Sequence, residues 1–135
     1  MFKTVLFPID QSREAREAAD LVTKVVQLCT SRLVVLSVVE EPAPDAPSGS
    51  PMVSPEAVAK LLEDAQALFS GQGITTEVIE KQGNPAFTIC DVADEIGADL
   101  IIMGCRGLGL TEEGLTESVT NRVINLSPCP VLIVP

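Results

Sequence analysis

The run Leu33-Val34-Val35-Leu36-Ser37-Val38-Val39 constrains this chain more than any other feature. It is nearly all apolar and rich in β-branched residues, with no polar residue alternating along it, so a strand built from it has no face fit for water. Such a strand must be covered on both sides. A parallel sheet flanked by helices meets that condition, and it obliges the rest of the chain to supply helices between further short strands.

The chain supplies them in alternation. Thr4-Val5-Leu6-Phe7 reads as a first strand ended by Pro8, and Ser12 is placed to cap a helix in which Ala15, Ala18, Ala19, Val22, Val25, Val26 and Cys29 recur at helical spacing over about 17 residues. After the second strand, residues 41–54 carry Pro42, Pro44, Pro47 and Pro51 among small residues, and read as a mobile loop beside the end of that strand. Ser54-Pro55-Glu56 then opens a second helix that Gly71 and Gly73 stop after Ser70. Ile74–Glu80 alternates like a strand with one wetter face at a sheet edge. Asn84-Pro85 opens a third helix with Phe87, Ile89, Cys90, Val92 and Ala93 on its apolar side, and Gly97 ends it. Asp99–Met103 is a fourth strand; Val119, Val123, Ile124 and Leu126 mark a fourth helix, and Pro130–Val134 a fifth strand. The pattern predicts a doubly wound, open α/β sheet, built as a single domain over residues 1–135.

Composition excludes several kinds of chemistry. Nineteen acidic residues against nine basic give a formal charge of −10, which repels phosphate backbones and anionic membrane surfaces, so neither nucleic acid nor membrane is an expected partner. With no His, the chain has no imidazole for general base catalysis, which removes Ser-His-Asp and Cys-His mechanisms. The four cysteines, Cys29, Cys90, Cys105 and Cys129, show no Cys-x-x-Cys spacing and read as small buried fillers. The apolar runs are far shorter than the roughly 20 residues a membrane helix needs, and nothing at Met1–Lys3 resembles a signal peptide; the expected location is cytoplasmic.

In an open α/β sheet, ligands bind outside the carboxyl ends of the strands where the winding reverses. Pro8-Ile9-Asp10-Gln11-Ser12 follows the first strand, and Gly104-Cys105-Arg106-Gly107-Leu108-Gly109 the fourth. Glycines there let backbone N–H groups approach an anion, and the next helix points its positive end the same way. They also serve simple tight turns, and no Gly-Lys-Ser/Thr is present to make a Walker loop. Asp10 equally suits a helix cap or a ligand contact. The residues alone leave both readings open.

Four segments resemble the universal stress protein family: Val5–Ser12 with its Pro-x-Asp-x-Ser turn, Asp99–Gly107, Ser118–Val123 and Ser127–Val134. The resemblance runs in order along essentially the whole chain. It implies a Rossmann-like five-stranded parallel sheet in the order 3-2-1-4-5, a homodimer formed through the last strand, and, in the nucleotide-binding branch, ATP held by a Gly-x-x-Gly, nine residues, then Gly-Ser/Thr. By that likeness Pro8 and Ile9 wall the base, Asp10 lies near ribose and a Mg²⁺ ion, and the Val38 backbone reads adenine. Gly104 and Gly107 line ribose and phosphates, Met103 belongs to the same nucleotide site, and the Ser118 hydroxyl and the Val119 N–H lie at the phosphates.

One position departs from the pattern. Glu117 stands where the third glycine belongs. A carboxylate about 5 Å from a phosphate charge costs roughly 3 kcal/mol at an effective dielectric near 20, and below 1 when fully screened by water. Three outcomes follow: the side chain turns outward and ATP binds weakly, Mg²⁺ bridges Glu117 and Asp10 to phosphate, or the cradle is closed to polyphosphates. The expectation is an adenine-nucleotide-binding stress-response or signalling protein, with ATP or AMP as ligand, acting as a dimer whose state an unidentified signalling partner reads. The rival readings are a dimeric interaction module that binds no nucleotide and an ATPase that turns over very slowly, since no evident base beyond Asp10 stands in the cradle.

Overall fold

The computed structural model describes residues 2–9, 14–39, 55–104 and 119–134. In chain order the elements are β1 (Thr4–Ile9), α1 (Glu14–Cys29), β2 (Arg32–Val39), α2 (Pro55–Ser70), β3 (Thr76–Gln82), α3 (Pro85–Ile96), β4 (Leu100–Gly104), α4 (Val119–Leu126) and β5 (Val131–Val134). Every strand pairing is parallel, and the order across the sheet is β3-β2-β1-β4-β5, as the family resemblance implies.

The apolar run that set the expectation behaves as required, because Leu33, Val34, Val35 and Leu36 are fully buried. Their side chains alternate between two cores. Val5, Phe7, Ile9, Leu33, Val35, Leu100 and Ile102 face α1 and α2, where they meet Ala18, Val22, Val26, Leu62 and Phe69. Leu6, Val34, Leu36, Ile101 and Met103 face the other way, against Ala86, Ile89, Cys90, Val92 and Ala93 of α3 and Val123 of α4. The rings of Phe7 and Phe69 meet edge to face, with centroids 6.1 Å apart at 82°, which pins the end of α2 to the central strand.

The third helix is bounded by its own residues. The Asn84 side chain accepts the Phe87 N–H at 3.2 Å, Pro85 occupies the first turn where its missing N–H costs nothing, and Gly97 closes the end in the left-handed region at φ 65°. Asp99 ends the next connection, and its carboxylate accepts the N–H groups of Lys3 and Thr4 at 3.1 and 3.0 Å. At the same end of the sheet Arg32 on β2 makes a two-pronged pair with Glu77 on β3. This hydrogen-bonded guanidinium holds the Glu77 carboxyl below its ordinary range.

Several expectations change. The third strand starts at Thr76 and runs to Gln82, because Ile74 belongs to the turn after α2, where its N–H bonds the Phe69 carbonyl. Phe87 is not on the apolar side of α3: it is 54% exposed, since the buried stripe passes through Ala86, Ile89, Cys90 and Ala93. On α4 only Val123 is buried, while Val119, Ile124 and Leu126 are exposed. Of the cysteines expected as buried fillers, Cys90 is buried but Cys29 and Cys129 are only half so. Ser12, the 41–54 loop and Cys105 lie outside the described residues.

Phe69→Ala should cost about 3–5 kcal/mol in urea unfolding, with Phe69→Leu losing much less, because the first empties a site closed on all sides. The Arg32–Glu77 pair acts with opposite pH sense to a buried acid. A lowered folded-state value means that its stabilisation is present above the ordinary carboxyl range and lost as pH falls through that lowered value. The stability difference between wild type and Glu77→Gln should therefore close in acid, measured by denaturation across pH.

Candidate functional site

The winding of the sheet reverses between β1 and β4: α1 and α2 cover one face and carry the chain outward to β3, and α3 returns it on the other face to β4. Two adjacent strands whose connections leave in opposite directions open a crevice at their carboxyl ends. β1 ends there at Pro8 and Ile9, and β4 at Met103 and Gly104.

The described site residues divide by face. Met103 is buried and Val38 half-buried, and both belong to the core beneath α3 and α4; strand alternation puts Pro8 on that side too. Ile9 points the opposite way, into the core of α1 and α2. The described register of β1 with β2 ends at Ile9↔Ser37, while Val38 and Val39 run on beside Lys81 and Gln82 of β3. Gly104 pairs with Val134, and Val119 opens α4, which brings the start of that helix to the end of β4. Thr120 makes the join, its hydroxyl donating to the Gly104 carbonyl at 3.4 Å. Asp10, Gly107, Glu117 and Ser118 lie outside the described residues.

Sequence reasoning passed over Thr120, although a hydroxyl in the first helical turn after a glycine-rich connection was a readable signal. It also passed over the cavity of about 320 Å³ at the ends of β2 and β3, lined among the described residues by Val39, Glu80, Lys81 and Gln82. Nothing in the sequence could have shown that cavity, because it depends on the register that sets Val39 opposite Gln82. Among the described residues no helix is long and apolar enough to cross a membrane, and no three acidic, Cys or His side chains are grouped to hold a metal ion.

The ends of β1 and β4 and the start of α4 therefore share one end of the sheet, the place where open α/β sheets bind ligands. The chain is similar to known proteins along its whole length. A model of the universal stress protein family matches residues 1–135. The universal stress protein Sll1654 of Synechocystis sp. is 65% identical over 136 residues, covering 100% of this chain and 87% of that protein. A universal stress protein of Thermus aquaticus is 37% identical, with 99% of each chain covered. Among solved structures, a universal stress protein in complex with cAMP superposes with a TM-score of 0.80 at 26% identity, over 99% of this chain and 97% of the other.

Thr120→Val keeps the shape of the side chain but removes the hydrogen bond to Gly104. It should lower stability by about 0.5–1 kcal/mol in urea, and Thr120→Ser should recover most of the loss.

Proposed function

This chain belongs to the universal stress protein family, and from that premise we propose that it binds an adenine nucleotide at the carboxyl ends of β1 and β4 and works as a homodimer whose liganded state a signalling partner reads. The observation that carries this reading is the meeting of Met103-Gly104 with the first turn of α4 at the switch point, in a fold shared with a protein solved in complex with cAMP. In this reading Pro8, Ile9 and Met103 shape the base and ribose pocket, and the Val38 backbone, running past the end of β1, bonds adenine. Gly104 and Gly107 give the phosphates room, and Ser118 and the Val119 N–H bond them at the start of α4. Asp10 is the residue that would hold Mg²⁺ beside the phosphates, where the ion offsets their charge.

Glu117 sets the choice of nucleotide. Its carboxylate repels each phosphate, so the penalty grows from AMP to ATP. In calorimetry Glu117→Gly should tighten ATP at least tenfold, which is about 1.4 kcal/mol, and leave AMP nearly unchanged. Equal ATP affinity in both proteins would mean that the carboxylate points away from the phosphates. Absence of binding to either protein would favour the rival reading, an interaction module.

The dimer, common to both readings, has its own support. β5 lies at the sheet edge with Leu132 exposed, and Val119, Ile124 and Leu126 are exposed on the helix before it. An edge strand with apolar neighbours is suited to pairing with a second copy of itself. Sedimentation at micromolar concentration should find a dimer, and Leu132→Lys, checked by circular dichroism for an intact fold, should convert it to monomer. A monomeric wild type would overturn the dimer.

A further inference from the structure

Of the eight residues of α4 only Val123 is buried, in the core it shares with Ile101 and Met103 of β4. One buried residue fixes where a short helix lies but leaves its tilt to other contacts. A second point of attachment is Thr120, whose hydroxyl donates to the Gly104 carbonyl at 3.4 Å. Thr120 and Val123 are three residues apart and so lie on one side of the helix. Gly104 is itself fixed, because it ends β4, pairs with Val134 and follows the buried Met103. The two attachments therefore set tilt as well as place, and Thr120 is the one at the end where the helix begins. Tilt matters there. The N–H groups of a first helical turn have no partner within the helix and point outward along its axis. Val119 lies about 6 Å along the axis from Val123, at 1.5 Å of rise per residue, so a tilt of about 10° moves the helix start by about 1 Å. A binding site is held to roughly 0.5 Å.

We infer that Thr120 is a positioning residue for the phosphate of the bound nucleotide: by bonding Gly104, its hydroxyl holds the start of α4 at the distance from β4 that the phosphate needs. This role rests on the nucleotide reading above and adds to it the residue that sets phosphate affinity. Thr120 acts through the helix, without touching the ligand. Its effect falls on the phosphate end alone, since in that reading base and ribose are met by Ile9, Val38 and Met103, on strand ends that the core holds. The effect is also bounded. A tie cannot favour one position of the helix by more free energy than it supplies. For a single neutral hydrogen bond that bound is a factor of about five in affinity, which is about 1 kcal/mol.

The test compares AMP with adenosine, which lacks only the phosphate, by calorimetry on the whole chain, with adenosine read by displacement of AMP. AMP serves better than ATP because Glu117 repels it least. Wild type should bind AMP more tightly than adenosine. Thr120→Val should weaken AMP about fivefold and leave adenosine unchanged, and Thr120→Ser should restore AMP. Thr120→Ala should repeat the split, so the result does not hang on the folding of one variant. Damage to the fold alone weakens both ligands by the same factor, and the split between them separates positioning from folding. The role is overturned, with the nucleotide site left standing, if Thr120→Val binds AMP as wild type does or if AMP and adenosine weaken equally. Wild type that binds AMP no more tightly than adenosine would show that α4 does not hold the phosphate, which also overturns it. Wild type that binds neither ligand would overturn the nucleotide reading itself, and the role of Thr120 with it.

Discussion

Everything in this protein hangs on the burial of β1, β2 and β4 from both sides. Val5, Leu6, Leu33, Val34, Val35, Leu36, Ile101 and Ile102 have no exposed surface, and each strand divides its side chains between two cores. Two-sided burial has a weakness: where both faces are apolar, hydrophobic pattern alone resists a one-residue slip poorly. Polar contacts at the amino ends of the strands supply what the pattern lacks. Asp99 takes the N–H groups of Lys3 and Thr4 and donates its own N–H to the Thr4 carbonyl at 2.8 Å, and the Arg32 N–H bonds the Lys3 carbonyl at 2.7 Å. A slipped strand would forfeit these bonds at once.

With the amino ends tied down, the carboxyl ends carry the candidate site. The chain bears a charge of −10, and an anionic ligand approaching it is repelled at long range. A nucleotide bound as proposed would have to be held by short-range donors rather than by the overall charge. Val38, Met103 and Gly104 belong to strand ends that the core holds fixed, so a ligand there would meet a surface already formed. Thr120 matters because it ties the helix start to that surface.

The half of the molecule beyond β4 is built differently. α4 buries only Val123, and β5 is a four-residue edge strand whose side chains are all half-buried or exposed. Contacts with the α3 core hold this part in place, and Cys129 takes part in them. Apolar surface at Ile124, 50% exposed, and Leu126, 46% exposed, is more than this small segment can cover alone.

The sequence by itself determined the class of fold. The unbroken run at Leu33–Val39 demanded cover on both faces, and Asn84-Pro85 and Gly97 marked the limits of α3. These features are local, because caps, proline positions and the extent of an apolar run depend on neighbours a few residues away. The tertiary structure alone decided which side of α3 is inner, leaving Phe87 in solvent and Cys90 in the core. It also decided that β3 starts at Thr76, that Val39 stands opposite Gln82 above a cavity, and that Thr120 reaches Gly104. Each of these joins residues far apart in the chain, and their distance is set by strand order, register and helix rotation, which packing fixes and no short stretch of sequence encodes.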